Sequence, residues 1–98
     1  MNPDRFRVIW RRVVTENRIA GFMLELIDRG ESTEPLFRVM NRIDHLLSFD
    51  PNGQGESRAD FERVLFEPPL SITYEVQADE LLVIVLRARY VRPRNERG

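Results

Sequence analysis

The last third of the chain constrains the fold most. Leu70, Ile72, Tyr74 and Val76 alternate with Ser71, Thr73 and Glu75, and after a short connection around Ala78-Asp79 the stretch from Leu81 to Val91 follows, apolar without a break from Leu81 to Leu86. Alternation with a period of two marks a strand with one buried face, and a short connection joins two such strands as an antiparallel hairpin. A two- or four-residue loop would set Val76 opposite Leu81, Tyr74 opposite Val83 and Ile72 opposite Val85, making one apolar face. Leu82, Ile84 and Leu86 are apolar too, which places the last strand inside the sheet with both faces partly covered. Upstream, Phe61 to Glu67 is β-prone and stops at Pro68-Pro69, a pair that cannot continue a central strand.

Such a sheet needs a second layer, and the middle of the chain supplies it. Leu36, Val39, Met40, Ile43, Leu46 and Leu47 form an apolar stripe at helical spacing, with Ser32 or Thr33 as its cap and Glu34 and Pro35 in its first turn. Asp50-Pro51-Asn52-Gly53 ends it, because the residue before proline is driven out of the helical region and Asn-Gly favours a turn. A polar loop from Gln54 to Asp60 follows. An earlier helix is predicted from Val13 to Arg29 on Ile19, Met23 and Leu26, with Ala20 and Ile27 beside them, Thr15 as cap and Gly30 as stop. Gly21 and Phe22 fall off that stripe. Phe6, Val8 and Trp10 alternate with Arg5, Arg7 and Arg11 as a half-buried opening strand, apart from Ile9. The order is β-α-α-β-β-β: an α+β domain with a helical hairpin packed on one face of a mainly antiparallel four-stranded sheet, the other face left for a partner. Residues 1–92 are expected to form this single domain and residues 93–98 an Arg-rich C-terminal tail.

A length of 98 residues gives room for one core. Fifteen basic and sixteen acidic residues leave a net charge of -1, so a charged partner must use a local patch. The chain has no cysteine, which excludes disulfides, thiolate metal sites and cysteine nucleophiles. Every one of the 15 basic residues is arginine, which excludes a lysine base, Schiff base or P-loop lysine. No apolar run approaches the roughly 20 residues of a membrane span, and the N-terminus lacks the charged-then-apolar order of a signal peptide. A cytoplasmic location with no membrane partner is expected. Neither Gly-x-Gly-x-x-Gly, P-loop, Gly-x-Ser-x-Gly nor paired carboxylates occur, so no cofactor is expected, and His45 with scattered carboxylates makes no metal site.

Several short segments acquire meaning from their order. They are Phe6-Arg7-Val8-Ile9-Trp10, then Arg42-Ile43-Asp44, Leu47, Asp50-Pro51 and Gly55-Glu56-Ser57-Arg58, then Arg63-Val64-Leu65-Phe66, Pro69-Leu70, Tyr74-Glu75-Val76 and Val83-Ile84-Val85-Leu86-Arg87. Through them nearly the whole chain resembles the RelE/ParE superfamily of bacterial toxins from type II toxin–antitoxin systems. The resemblance implies a small toxin held inactive by a cognate antitoxin. RelE-like members enter the ribosome and cleave messenger RNA with basic and aromatic side chains on the open sheet face; ParE-like members poison DNA gyrase. This chain lacks the lysines that usually follow the second helix, with Gly55-Glu56-Ser57-Arg58 in their place, and has Ser71 where an arginine usually opens the penultimate strand. Those departures leave ribosome-dependent endoribonuclease activity open, and the sequence does not choose between ribosome and gyrase as target.

Arg87, Arg89, Arg92, Arg94 and Arg97 crowd the end of the chain with only Glu96 among them, while Arg5, Arg7, Arg11 and Arg12 flank the first strand. If the first and last strands are neighbours, as the resemblance implies, the two sets form a positive stripe. Arg87 and Arg89 would then grip phosphate or carboxylate through paired N–H bonds, with Tyr90 stacking beside them. The plainer alternative is a solvated edge whose charges discourage sheet-to-sheet association. By strict alternation Arg87 and Arg89 would point into the core with Val83 and Val85, at a cost of several kcal/mol apiece. The strand is therefore expected to bulge near Leu86, or to run beyond the helices, with both arginines exposed. Arg58 binds phosphate or pairs with Glu56 or Asp60, and Arg63, in an otherwise apolar strand, is expected on the open face. His45 falls with Arg38, Asn41 and Arg42 on the polar side of the second helix, as an ordinary exposed histidine does. Expected target- or antitoxin-binding residues are thus Arg58, Arg63, Arg87, Arg89 and Tyr90, with no catalytic residue assigned. A second possibility on the same fold is a noncatalytic interaction domain, with homodimerisation through an exposed strand or through Leu82, Ile84 and Leu86 as one form of it.

Overall fold

The computed structural model describes residues 5–58 and 61–91. Asp60, Arg92 and the tail from 93 to 98, with Arg94, Glu96 and Arg97, lie outside the described residues. In chain order come β1 (Arg7–Trp10), a π-helical segment (Val14–Ile19) running into α1 (Ala20–Asp28), α2 (Glu34–Phe49), β2 (Glu56–Ser57), β3 (Glu62–Glu67), β4 (Leu70–Gln77) and β5 (Leu82–Tyr90). One sheet has the order β1-β5-β4-β3-β2, with β1 parallel to β5 and every other pair antiparallel. This is the expected α+β arrangement with a fifth strand. Both residues of β2 are exposed, so no apolar alternation announces it within the polar loop.

The two helices cover one face. Leu36, Ile43 and Leu47 of α2 and Leu26 of α1 join Leu65, Leu70, Ile72, Tyr74, Val83, Val85 and Ala88 of the sheet in one buried cluster. Trp10 Nε1 donates to Asp44 Oδ1 at 2.6 Å, tying β1 to α2. The first helix departs from its predicted phase. Val14 and Ile19 are both buried, although residues five apart on an α-helix stand about 140° from each other. The Ala20 amide reaches back to the Thr15 carbonyl, an i→i−5 bond that widens the turn and brings the two side chains to one side. Thr15 is inside the helix rather than capping it, its hydroxyl donating to the Arg12 carbonyl at 3.3 Å. Ile27, predicted beside the stripe, is 61% exposed. Gly30 does stop the helix: it takes a φ of 74°, and the amides of Gly30 and Glu31 close on the carbonyls of Ile27 and Leu26, a Schellman ending. At α2 the Ser32 hydroxyl accepts from the Glu34 amide at 3.1 Å.

Register decides which side chains reach the open face. Val76 pairs with Val83, Tyr74 with Val85 and Ile72 with Ala88, each partner lying further along β5 than the predicted Leu81, Val83 and Val85. The connection is longer than a tight turn, because Ala78–Glu80 form a 3-10 turn and Leu81 takes a φ of 50°. For Val76 and Tyr74 the displacement is two residues, which leaves the buried face unchanged. Between Tyr74↔Val85 and Thr73↔Arg87 the ladder slips, leaving Leu86 unpaired. That is the bulge the parity argument demanded. Beyond it Ala88 turns inward, 2% exposed, and Arg87 and Arg89 turn out.

Candidate functional site

Past Trp10, β5 loses its neighbour on the β1 side and keeps β4 on the other. The Arg11 amide makes one more bond, to the Val85 carbonyl at 3.2 Å, and the chain then turns into the π-helical segment, which lies along the rest of β5. A groove of about 610 Å³ opens on the uncovered sheet face between that segment and strands β3 to β5. Half-buried Val64, Ser71, Thr73 and Leu86 form its floor, and exposed Arg18, Arg58, Arg87 and Arg89 stand around it.

Each arginine arrives by a different route. Arg87 and Arg89 are turned outward by the bulge at Leu86. Arg58 follows β2, its amide donating to the Glu62 carbonyl at 2.7 Å. Arg18 comes from the π-helical segment. Glu62 Oε1 accepts from Arg87 Nη2 at 2.7 Å, and Glu56 Oε1 accepts from Arg58 Nη1 at 3.2 Å, the local pairing foreseen for that loop. Arg18 and Arg89 make no ion pair among the described residues. A guanidinium is a permanent cation with five donors and no acceptor, so the groove offers paired donors to an anion while Ser71 and Thr73 offer hydroxyls. Ser71 lies directly opposite Arg89, so a guanidinium on β5 stands beside the position where the toxin resemblance implies an arginine on β4.

The groove unites Arg58, Arg87 and Arg89 and omits the other two expected residues. Arg63 pairs with Tyr74 in the ladder and so shares its helix-side face, not the open one. Its Nε and Nη2 donate to the carbonyls of Gln54 and Gly55, each at 3.2 Å. The open-face positions of β3 are held by Glu62, Val64 and Phe66 instead. Tyr90 also lies on the helix side, its ring 5.4 Å from that of Phe22. Strand pairing of β1 with β5 is as expected, yet the flanking arginines of β1 do not join the groove: Arg5 stacks over Phe49 at 4.4 Å and Arg12 pairs with Glu16 at 3.1 Å. His45 is exposed on α2, edge-on to Phe49 at 4.8 Å, and lines no part of the groove. Arg18 is the residue that sequence reasoning missed. The displaced phase of Gly21 and Phe22 was the one trace of the π turn that delivers it. Among the described residues no group of histidines and carboxylates is placed to hold a metal, and no helix is long and apolar enough to cross a membrane.

No protein-family model matches this sequence, and no curated protein matches it. The shape does find a counterpart. A chain of the toxin–antitoxin complex RelBE2 from Mycobacterium tuberculosis superposes with a TM-score of 0.65, the match covering 88% of this chain and 91% of that one at 13% identity. The two chains share a fold, as the resemblance of the short segments implied.

Proposed function

We propose that this chain is the toxin component of a type II toxin–antitoxin system, that it engages an anionic macromolecular target through the groove on its open sheet face, and that a cognate antitoxin neutralises it. The observation that carries the reading is the convergence of Arg18, Arg58, Arg87 and Arg89 on one groove in a chain whose net charge is only -1. Likeness to a chain of RelBE2 supports the toxin role. Binding rather than cleavage is the activity this lining favours: arginine and hydroxyl groups hold phosphate or carboxylate, but neither takes up a proton near neutral pH as a general base must. Among the described residues, the only carboxylate bonded to a groove arginine on β5 is Glu62.

The test is expression in a bacterium. Alone, the protein arrests growth without cleaving messenger RNA at codons in the ribosomal A site, and co-expression of a cognate antitoxin, sought as a small reading frame beside its gene, restores growth. Normal growth on expression alone refutes the toxin reading. Codon-mapped cleavage that Arg87→Ala abolishes would overturn the assignment of the groove to binding and make the protein a RelE-like endoribonuclease.

A further inference from the structure

Arg63 spends its guanidinium on two particular acceptors. The Gln54 and Gly55 carbonyls that it holds at 3.2 Å immediately precede β2, whose two residues lead to Arg58 in the groove. The same stretch is gripped a second time from beneath, where the fully buried Tyr74 hydroxyl sits 2.8 Å from the Pro51 carbonyl and 2.5 Å from that of Gln54. Gly55 takes a φ of +70°, and a Cβ there would fall 2.5 Å from the Val64 carbonyl, so the backbone is pressed against β3. Only two residue pairs hold β2 to the sheet, and so short a strand is not rigid by itself. Arg87 and Arg89, by contrast, stand on β5, which lies between β4 and the first-strand side of the sheet.

We propose that Arg63 is a positioning residue for the groove: by clamping the Gln54 and Gly55 carbonyls on the helix side, it fixes β2 and thereby sets the Arg58 guanidinium for an anion bound on the opposite side. The inference rests on the reading of the groove as an anion site. Arg63 itself touches no ligand. Its loss therefore acts on the contact made by Arg58 and leaves those made by Arg87 and Arg89 in place.

The experiment titrates inorganic pyrophosphate into the full chain and follows the arginine Nε–H resonances by NMR, with binding constants for wild type, Arg58→Ala, Arg63→Ala, Arg63→Lys, Arg89→Ala and the Arg58/Arg63 double alanine variant. Removal of Arg58 lowers affinity about tenfold, the size of one charge-assisted hydrogen bond. Arg63→Ala lowers it to the same extent, the double variant is no weaker than either single one, and the Arg58 resonance no longer responds to pyrophosphate while that of Arg89 still does. A lysine at position 63 reaches one carbonyl, and its affinity falls between wild type and Arg63→Ala; this variant keeps the test alive should the alanine variant fail to fold. Additive losses from Arg58 and Arg63, or wild-type affinity in both Arg63 variants while Arg58→Ala and Arg89→Ala are weakened, overturn the positioning role and leave the groove standing. If Arg58→Ala and Arg89→Ala both bind as wild type, the groove is not an anion site and both readings fall.

Discussion

Deleting single residues from β5 tests the bulge that aims the arginines. Leu86 is the unpaired residue, with Val85 pointing in before it and Arg87 pointing out after it. Its deletion joins an inward residue directly to an outward one, so the alternation becomes regular and Arg87 and Arg89 stay on the open face. Leu86 is only half-buried, and the loss of its apolar contact costs about 1 kcal/mol. Deleting Ala88 has the opposite geometry. Arg89 then moves to a position that is now 2% exposed, and Tyr90 leaves its contact with the Phe22 ring. An unpaired buried ion costs several kcal/mol even after relaxation, against a total stability of about 5–15 kcal/mol for a domain. Urea unfolding followed by the fluorescence of Trp10, the chain's one tryptophan, reads both. The Leu86 deletion shifts the midpoint slightly, and the Ala88 deletion abolishes the cooperative transition or brings it close to zero denaturant. Equal damage from the two deletions, or none from the second, would refute the argument.

Other consequences follow from the same contacts. Ile43 is fully buried on α2, so Ile43→Ala costs about 2–5 kcal/mol in a denaturant titration; a loss below about 0.5 kcal/mol would mean the stripe does not face the core. Burial pushes the Tyr74 hydroxyl above its ordinary value of 10.0, with the neighbouring Arg63 guanidinium opposing and the charge of Asp50 adding to the rise. The native state therefore keeps this proton longer than the unfolded chain, so its contribution is complete below pH 10.0 and is lost as pH rises beyond it. Tyr74→Phe costs about 1–3 kcal/mol at neutral pH, because the Pro51 carbonyl loses the hydroxyl that donates to it while the Gln54 carbonyl keeps its bond from Arg63, and it flattens that alkaline fall in stability. Binding of a polyanion in the groove weakens as salt rises and ignores His45→Ala, as a titration of the purified protein by fluorescence anisotropy would show.

The parts of this structure legible in the sequence are those set by neighbours in the chain. Alternation marked β1, β4 and β5, the α2 stripe named Leu36, Ile43 and Leu47, and Gly30 ended α1. The bulge was legible for a different reason: leaving Arg87 and Arg89 in phase with Val85 was too costly to be believed. What escaped depended on pairing at a distance. Arg63 stands between Glu62 and Val64 in the sequence, and only its partner Tyr74 reveals that Val64 and Phe66, not Arg63, occupy the open face. Tyr90 follows Arg89 in sequence, yet one residue along a strand is the other side of the sheet. Arg18 required an i→i−5 bond that leaves no residue signature beyond a helix out of phase.

The central claim, that the open-face groove is where this protein acts, is tested most directly by the growth assay with matched variants at comparable expression. Wild type and His45→Ala arrest growth, while Arg87→Ala and Arg89→Ala each relieve the arrest and, folded as wild type by circular dichroism, separate loss of contact from loss of structure. Arrest that survives both arginine changes but disappears with His45→Ala would move the site to the helical layer and contradict the account.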